Sequence, residues 1–121
     1  MKRIRLPKGY SFRIKQSDYS NAQNISIFFK GHEVGRLRLS GYSKEYRTHS
    51  WLLEEHQCKG LGALMYARAI KWALDNNFKI SSSGCTSKEA ARVWSGRTIR
   101  KYFKIIRYTV NGNALWRAYK K

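Results

Sequence analysis

From Leu52 to Leu64 the chain reads Leu-Leu-Glu-Glu-His-Gln-Cys-Lys-Gly-Leu-Gly-Ala-Leu. A strand-like run ends, a short loop with two glycines follows, and a stretch of helix formers begins. The first amides of a helix have no intrahelical acceptor, and the helix dipole places about half a positive charge beside them. Glycines let the backbone approach an anion closely, so this pattern is suited to cradling a phosphate. Lys59 adds a fixed charge. Cys58, beside that lysine at a helix start, has surroundings that lower a thiol's pKa, but no base is placed next to it by sequence. His49, His56, Cys58 and Cys85 show neither Cys-x-x-Cys nor His-x-x-x-His spacing, so no metal site is expected.

Such a cradle requires a strand before the loop and a helix after it. Upstream, Ser11–Lys15 alternates polar and apolar residues, and Ile25, Ile27 and Phe29 share one strand face. After a turn at Lys30-Gly31-His32-Glu33 a further strand places Gly35, Leu37 and Leu39 on one face and Val34, Arg36 and Arg38 on the other. Residues 42–47 read as a polar loop, and 48–53 as another strand. From Leu61 to Asn76 the period becomes helical, with Arg68, Lys71 and Asp75 on a single polar stripe. Phe78–Ser82 is a short strand. Thr86-Ser87-Lys88-Glu89 matches a capping box opening a second helix to about Lys101, with Gly96 a weak point. Asn111-Gly112-Asn113 joins two last strand runs, 103–110 and 114–119. Strands, helix, strand, helix and hairpin predict an α/β (α+β) fold with a mixed sheet, as a single domain over residues 1–121.

Gln57-x-x-Gly60-x-Gly62 resembles the Arg/Gln-x-x-Gly-x-Gly/Ala signature of the GNAT superfamily of acyl-CoA-dependent N-acetyltransferases. Ser87-x-x-Ala90-x-x-x-Trp94 is similar to that family's Asn-x-x-Ala-x-x-x-Tyr, in the form found in short, often phage-encoded members. The resemblance implies a central mixed sheet with the long helix following the glycine loop. It implies acetyl-CoA as cofactor, its pyrophosphate held by the backbone of Gln57, Cys58, Lys59, Gly60, Leu61 and Gly62. Leu52 on the preceding strand would hydrogen-bond the pantetheine arm, and Ser87 stands where the family has its asparagine. The acetyl group would pass directly to an amine, which needs a neutral amine, a donor to the thioester oxygen and a proton for the departing thiolate. Glu54 and Glu55 are the acids beside the loop and can relay the amine's proton; a pair of solvated loop acids is the plainer reading. The family's tyrosine proton donor is replaced by Trp94, whose indole N–H is not a useful acid. Tyr102 is a candidate to take that part, or else packs on the sheet. The family's two helices between its first two strands have no counterpart, since only about Gln16 to Asn24 lies there.

Composition adds a second theme. The 121 residues include 25 Lys+Arg against 7 Asp+Glu, a formal charge of +18. With 42% hydrophobic residues and a single proline, disorder is excluded. No apolar run approaches the roughly 20 residues of a membrane-crossing helix, no apolar segment follows the basic start as in a secretory signal, and two cysteines suit a reducing cytoplasm. The charge is concentrated in residues 1–15 and 88–121, beyond the glycine loop. It points to a polyanionic partner, nucleic acid or an acidic protein, with Arg36, Arg38, Arg97, Arg100, Lys101 and Lys104 as candidate contacts. Two readings stay open: an N-acetyltransferase with a basic surface, or a non-catalytic nucleic-acid- or acidic-protein-binding module on the same scaffold. The run Ala114–Tyr119 is a candidate edge for pairing across a homodimer.

Overall fold

The computed structural model describes residues 4–16, 22–42, 45–52, 60–82 and 88–121, with the side chains of 16, 22, 41–42, 45–52 and 89 left aside. Seven strands, β1 (Tyr10–Gln16), β2 (Ala22–Phe29), β3 (His32–Tyr42), β4 (Glu45–Leu52), β5 (Lys79–Ser81), β6 (Phe103–Val110) and β7 (Asn113–Lys120), form one sheet in the order β1-β2-β3-β4-β5-β7-β6. Only β4 and β5 run parallel; the other neighbours are antiparallel. The helices are α1 (Leu61–Asp75), α2 (Lys88–Trp94) and α3 (Arg97–Tyr102). This is a mixed α+β fold.

Local chemistry sets the hairpins. Lys30-Gly31 and Asn111-Gly112 are two-residue turns in which both residues have positive φ, 49° and 87° in the first and 50° and 80° in the second. That is the type I′ pattern, whose twist matches the flanking strands. β1 and β2 pair directly, from Tyr10 opposite Phe29 to Gln16 opposite Gln23. β3 and β4 pair up to Tyr42 opposite Glu45; residues expected as a loop from Tyr42 onward are therefore largely strand. The expected face of Val34 is also corrected. Ile27 pairs with Gly35 but Phe28 with Glu33, so Val34 is the extra residue of a bulge and turns inward, 4% exposed, away from Arg36 and Arg38.

α1 lies across one face of the sheet and touches β2, β3, β4, β5 and β7. Its buried residues include Leu61, Met65, Tyr66, Ile70 and three alanines, Ala67, Ala69 and Ala73, which let the helix axis approach the strands. Facing it, Ile25, Ile27, Leu37 and Leu39 are fully removed from water. Each contributes about 1.5–3 kcal/mol over its exposed state. The expected polar stripe is outermost, with Lys71 bonded to Asp75 at 2.7 Å. At the C-terminus Asn77 is left-handed (φ 62°), its N–H donating to the Leu74 carbonyl and that of Phe78 to Ala73. These are the two bonds of a Schellman motif, and Phe78 stacks on Trp72 beside it.

α2 and α3 both pack on α1, so all three helices share one face. The second helix expected from sequence is two helices, because Gly96 is extended (ψ 169°) between them. A Cβ at Gly96 would stand 2.8 Å from the Arg92 carbonyl oxygen, backbone that cannot swing aside. Gly96→Ala is therefore expected to destabilise the fold by about 1–3 kcal/mol. Chemical denaturation checks this; an unchanged midpoint would contradict the close approach.

Candidate functional site

The site begins where the sheet opens. β5 pairs with β4 only at Glu45–Lys79, Tyr46–Ile80 and Arg47–Ser81. From Thr48 to Leu52, β4 continues with β3 on one side and, among the described residues, no strand on the other. β5 stops because Ser82 satisfies the β7 ladder in another way. Its N–H donates to the Trp116 carbonyl at 2.8 Å, and its hydroxyl oxygen accepts from the Trp116 N–H at 3.0 Å. A side chain takes the place of the next carbonyl, and the backbone is free to turn away.

The described chain resumes at Gly60, whose left-handed conformation (φ 75°, ψ 4°) makes it the N-cap of α1. Leu64 is the first amide bonded within the turn, to the Gly60 carbonyl at 3.2 Å. The amides of Leu61, Gly62 and Ala63 precede it and form the donor end of the helix, with no acidic residue in its first turn. Gly60 is a glycine because of its positive φ. Gly62 is helical and needs no such freedom, and a Cβ placed on it meets nothing within 4 Å. A glycine inside a helix costs about 1 kcal/mol against alanine. Among the described residues no packing demands the glycine, and the position leaves the helix-start backbone open to a close approach.

Two buried polar atoms point the same way. Trp94 is fully buried, its ring edge-on to Tyr66 of α1 at 5.9 Å, and its Nε1 has no hydrogen-bond partner among the described residues. The Ser81 hydroxyl, at the last paired residue of β5, is likewise buried without one. Native proteins rarely leave such groups unsatisfied. A ligand rich in phosphate acceptors suits the amides of Leu61, Gly62 and Ala63 at the start of α1.

Of the residues singled out from sequence, Gly60, Leu61 and Gly62 form the start of α1, with Leu61 buried. Leu52 is the last residue of β4, paired through its backbone with Gly35. Glu54, Glu55, Gln57, Cys58, Lys59 and Ser87 lie outside the described residues. Tyr102 ends α3, 9% exposed, with its ring beside Phe103 and the Lys101 ammonium 5.5 Å over it. The six candidate cations do not form one surface. Arg97, Arg100 and Lys101 are on α3 with the other helices, whereas Arg36 and Arg38 are exposed on the opposite side of the sheet; Lys104 is on β6. The edge expected at Ala114–Tyr119 is corrected too: β7 is interior, between β5 and β6, and the sheet edges are β1 and β6. Ser81 and the Trp94 N–H as a donor were not distinguished by sequence; a run of three serines, 81–83, after an apolar residue is the one signal for Ser81.

Elsewhere, a concavity of about 660 Å³ between the N-terminal segment, β1 and α1 is lined by Ile4, Leu6, Tyr10, Phe12, Arg5, Arg68 and Lys71. Hydrogen bonding to Lys71 holds the Asp75 carboxyl below its usual pKa, and hydrogen bonding to Tyr119 raises that of the Tyr108 phenol. Both groups lie at the surface, away from the start of α1. Among the described residues no three His, Cys, Asp or Glu side chains gather as a metal site would require, and no helix is long and apolar enough to cross a membrane.

No protein-family model matches the sequence, and no curated protein matches it. Solved structures do resemble the fold. A GNAT family acetyltransferase from Elizabethkingia anophelis with acetyl-CoA bound superposes with a TM-score of 0.64 at 11% identity, over 95% of this chain and 100% of the other. An IAA acetyltransferase from Bacillus cereus gives 0.62 at 14% identity, over 90% and 97%. The PaiA N-acetyltransferase of Thermoplasma acidophilum in complex with coenzyme A gives 0.60 at 12%, over 84% of this chain and 62% of that one. A probable acetyltransferase is matched over the same 62% of its length, so the chain spans about three-fifths of some relatives and the whole of others. At these identities the likeness establishes the GNAT acetyltransferase fold.

The Gly62 argument has a consequence that needs no ligand. Gly62→Ala is expected to leave stability unchanged or raise it by about 0.5 kcal/mol in thermal or chemical denaturation, because Gly62 is in the first turn of α1 and the added Cβ meets no described atom within 4 Å. A clear loss of stability would show that packing requires the glycine after all.

Proposed function

We propose that this protein binds acetyl-CoA in the opening between β4 and β5 and transfers its acetyl group to an amine. The observation that carries the reading is the start of α1: left-handed Gly60, then Gly62 with open space where a side chain would be. The fold likeness to acetyltransferases solved with coenzyme A or acetyl-CoA supports it. The amides of Leu61, Gly62 and Ala63, with those of Gln57, Cys58 and Lys59, would hold the pyrophosphate, and the backbone of Leu52 the pantetheine arm. Ser87 would open the helix that flanks the cofactor. The cofactor supplies an activated acyl thioester when bound. The chain's part is to fix that thioester along the unpaired stretch of β4, exclude water, and direct an N–H to developing negative charge.

Trp94 limits how the chain manages protons. Its indole N–H can donate a hydrogen bond but cannot give up the proton. Glu54 or Glu55 would accept the proton of the attacking amine. Tyr102 remains the candidate donor to the departing thiolate, and its burial would have to open for that role. The β1–β2 hairpin stands where an acceptor-shaping pair of helices is missing, so the acceptor would be recognised by the rest of the surface or by what the protein is bound to. The reading extends to a single-domain protein of the cytoplasm, akin to short phage-encoded members of the family, with a polyanionic partner for its excess charge.

The fully buried tryptophan at the tyrosine position favours one second reading, in which the scaffold serves binding without turnover. Calorimetric titration with acetyl-CoA tests the main proposal. Wild type is expected to bind, and Gly62→Leu to remain folded while binding at least tenfold more weakly. Equal binding by the variant, or none by wild type, overturns the cofactor site. Binding without acetylated product, by mass spectrometry over small amines, peptide N-termini and lysines, selects the second reading. In that case Trp94→Tyr is the variant expected to gain product.

A further inference from the structure

All three helices lie on one face of the sheet, and among the described residues none covers the other. On that bare face, over β1, β2 and β3, the strand register sets side chains in two straight rows. Arg13 is opposite Ser26, which is opposite Arg36; Lys15 is opposite Asn24, which is opposite Arg38. The four cations are exposed, while the alternate residues of β1, Phe12 and Ile14, pack toward the core. Strand spacing and rise put the cations at the corners of a rectangle about 10 Å across the strands and about 7 Å along them. The residues between them are short: Ser26 is 9% exposed and Asn24 half-buried, so the cations stand above a low floor. The guanidinium of Arg13 lies 5.0 Å over the ring of Phe28, which holds it against the sheet.

We infer that this bare face is a nucleic-acid-binding surface that grips the phosphate backbone without reading sequence. The inference rests on the proposal that the excess charge serves a polyanion, and is independent of the acetyl-CoA reading. Three of the four cations are arginines, whose planar fork takes a phosphate through two bonds at once. Among the described residues the patch has no apolar centre. A protein interface of useful strength is built around buried aromatic or aliphatic anchors, whereas nucleic-acid interfaces are polar and strongly positive. Among the described residues, Phe28 is the aromatic on this patch, with the Arg13 guanidinium over its ring. Glu33, the acid beside it among the described residues, is bonded to Arg36 at 2.9 Å on the surface. Exposed pairs of this kind are worth little, so a phosphate can replace the carboxylate.

The test compares equal charge changes on the two sides of the sheet. A short labelled single-stranded oligonucleotide and its duplex are titrated by fluorescence anisotropy across salt. The proteins are wild type, the bare-face variant Arg13→Gln/Lys15→Gln/Arg38→Gln, and the helix-side variant Arg97→Gln/Arg100→Gln/Lys101→Gln. The bare-face variant is expected to bind at least tenfold more weakly at low salt, and its log–log salt slope to be shallower by about 2–3, as loss of three phosphate contacts requires. The helix-side variant is expected to lose much less. Glu33→Gln, which frees Arg36, is expected to tighten binding a few-fold, a gain that misfolding cannot mimic. Equal losses from both triple variants, no gain from Glu33→Gln, or a flat salt response in wild type overturns the proposal. So does binding of a polyglutamate peptide as tight as that of the oligonucleotides, which would assign the face to an acidic protein. Acetyl-CoA titration of the bare-face variant keeps the two proposals apart, since its cofactor binding is expected to be unchanged.

Discussion

Among the described residues, three pairs join the two halves of the sheet: Glu45–Lys79, Tyr46–Ile80 and Arg47–Ser81 link the β1–β4 meander to the β5-β7-β6 group. So short a parallel ladder is weak by itself, and α1 supplements it by lying over both halves, touching β2 and β3 on one side and β5 and β7 on the other. Its alanines make that approach close enough for Ile25, Leu37, Ile80 and Ala118 to share one core. The same geometry fixes the position of the helix start. A helix that bridges the two halves of the sheet has its first amides, those of Leu61, Gly62 and Ala63, placed by the core packing.

Among the described residues the helices cover one side of the sheet, and the charge follows from that. Residues facing α1 must be apolar; those on the other side face water and are free to be charged. With strand periodicity of two, every second residue of β1 and β3 falls on the uncovered side, and in this chain those positions hold Arg13, Lys15, Arg36 and Arg38. The direct pairing of β1 with β2, and of β2 with β3, sets those four cations side by side on one surface.

Much of this was legible in the sequence where the cause is local. The Asn111-Gly112 turn, the extent of α1 and the glycine at its start follow from backbone preferences of a few adjacent residues. The features that were not legible have tertiary causes. The bulge at Val34 depends on how β2 and β3 are drawn together. The division of the second helix at Gly96 depends on the Arg92 carbonyl, and the interior position of β7 on which strand β5 reaches first. Above all, the candidate cations belonged to opposite faces, because a charge count says nothing about which side of a sheet a residue occupies. In the site itself, Gly60 and Gly62 were readable from their spacing, whereas the Trp94 N–H drew notice through burial without a hydrogen-bond partner among the described residues, which depends on how α2 packs on α1.

The central claim is that the exposed amides at the start of α1 hold the anionic part of an acyl-CoA. The most direct measurement is an amide NMR titration of the isotopically labelled protein with acetyl-CoA. The account predicts saturable shifts that are largest at Leu61, Gly62 and Ala63, with smaller ones along Thr48–Leu52. Shifts centred instead on the Arg5, Arg68 and Lys71 concavity, or no saturable shift at the start of α1, would contradict it.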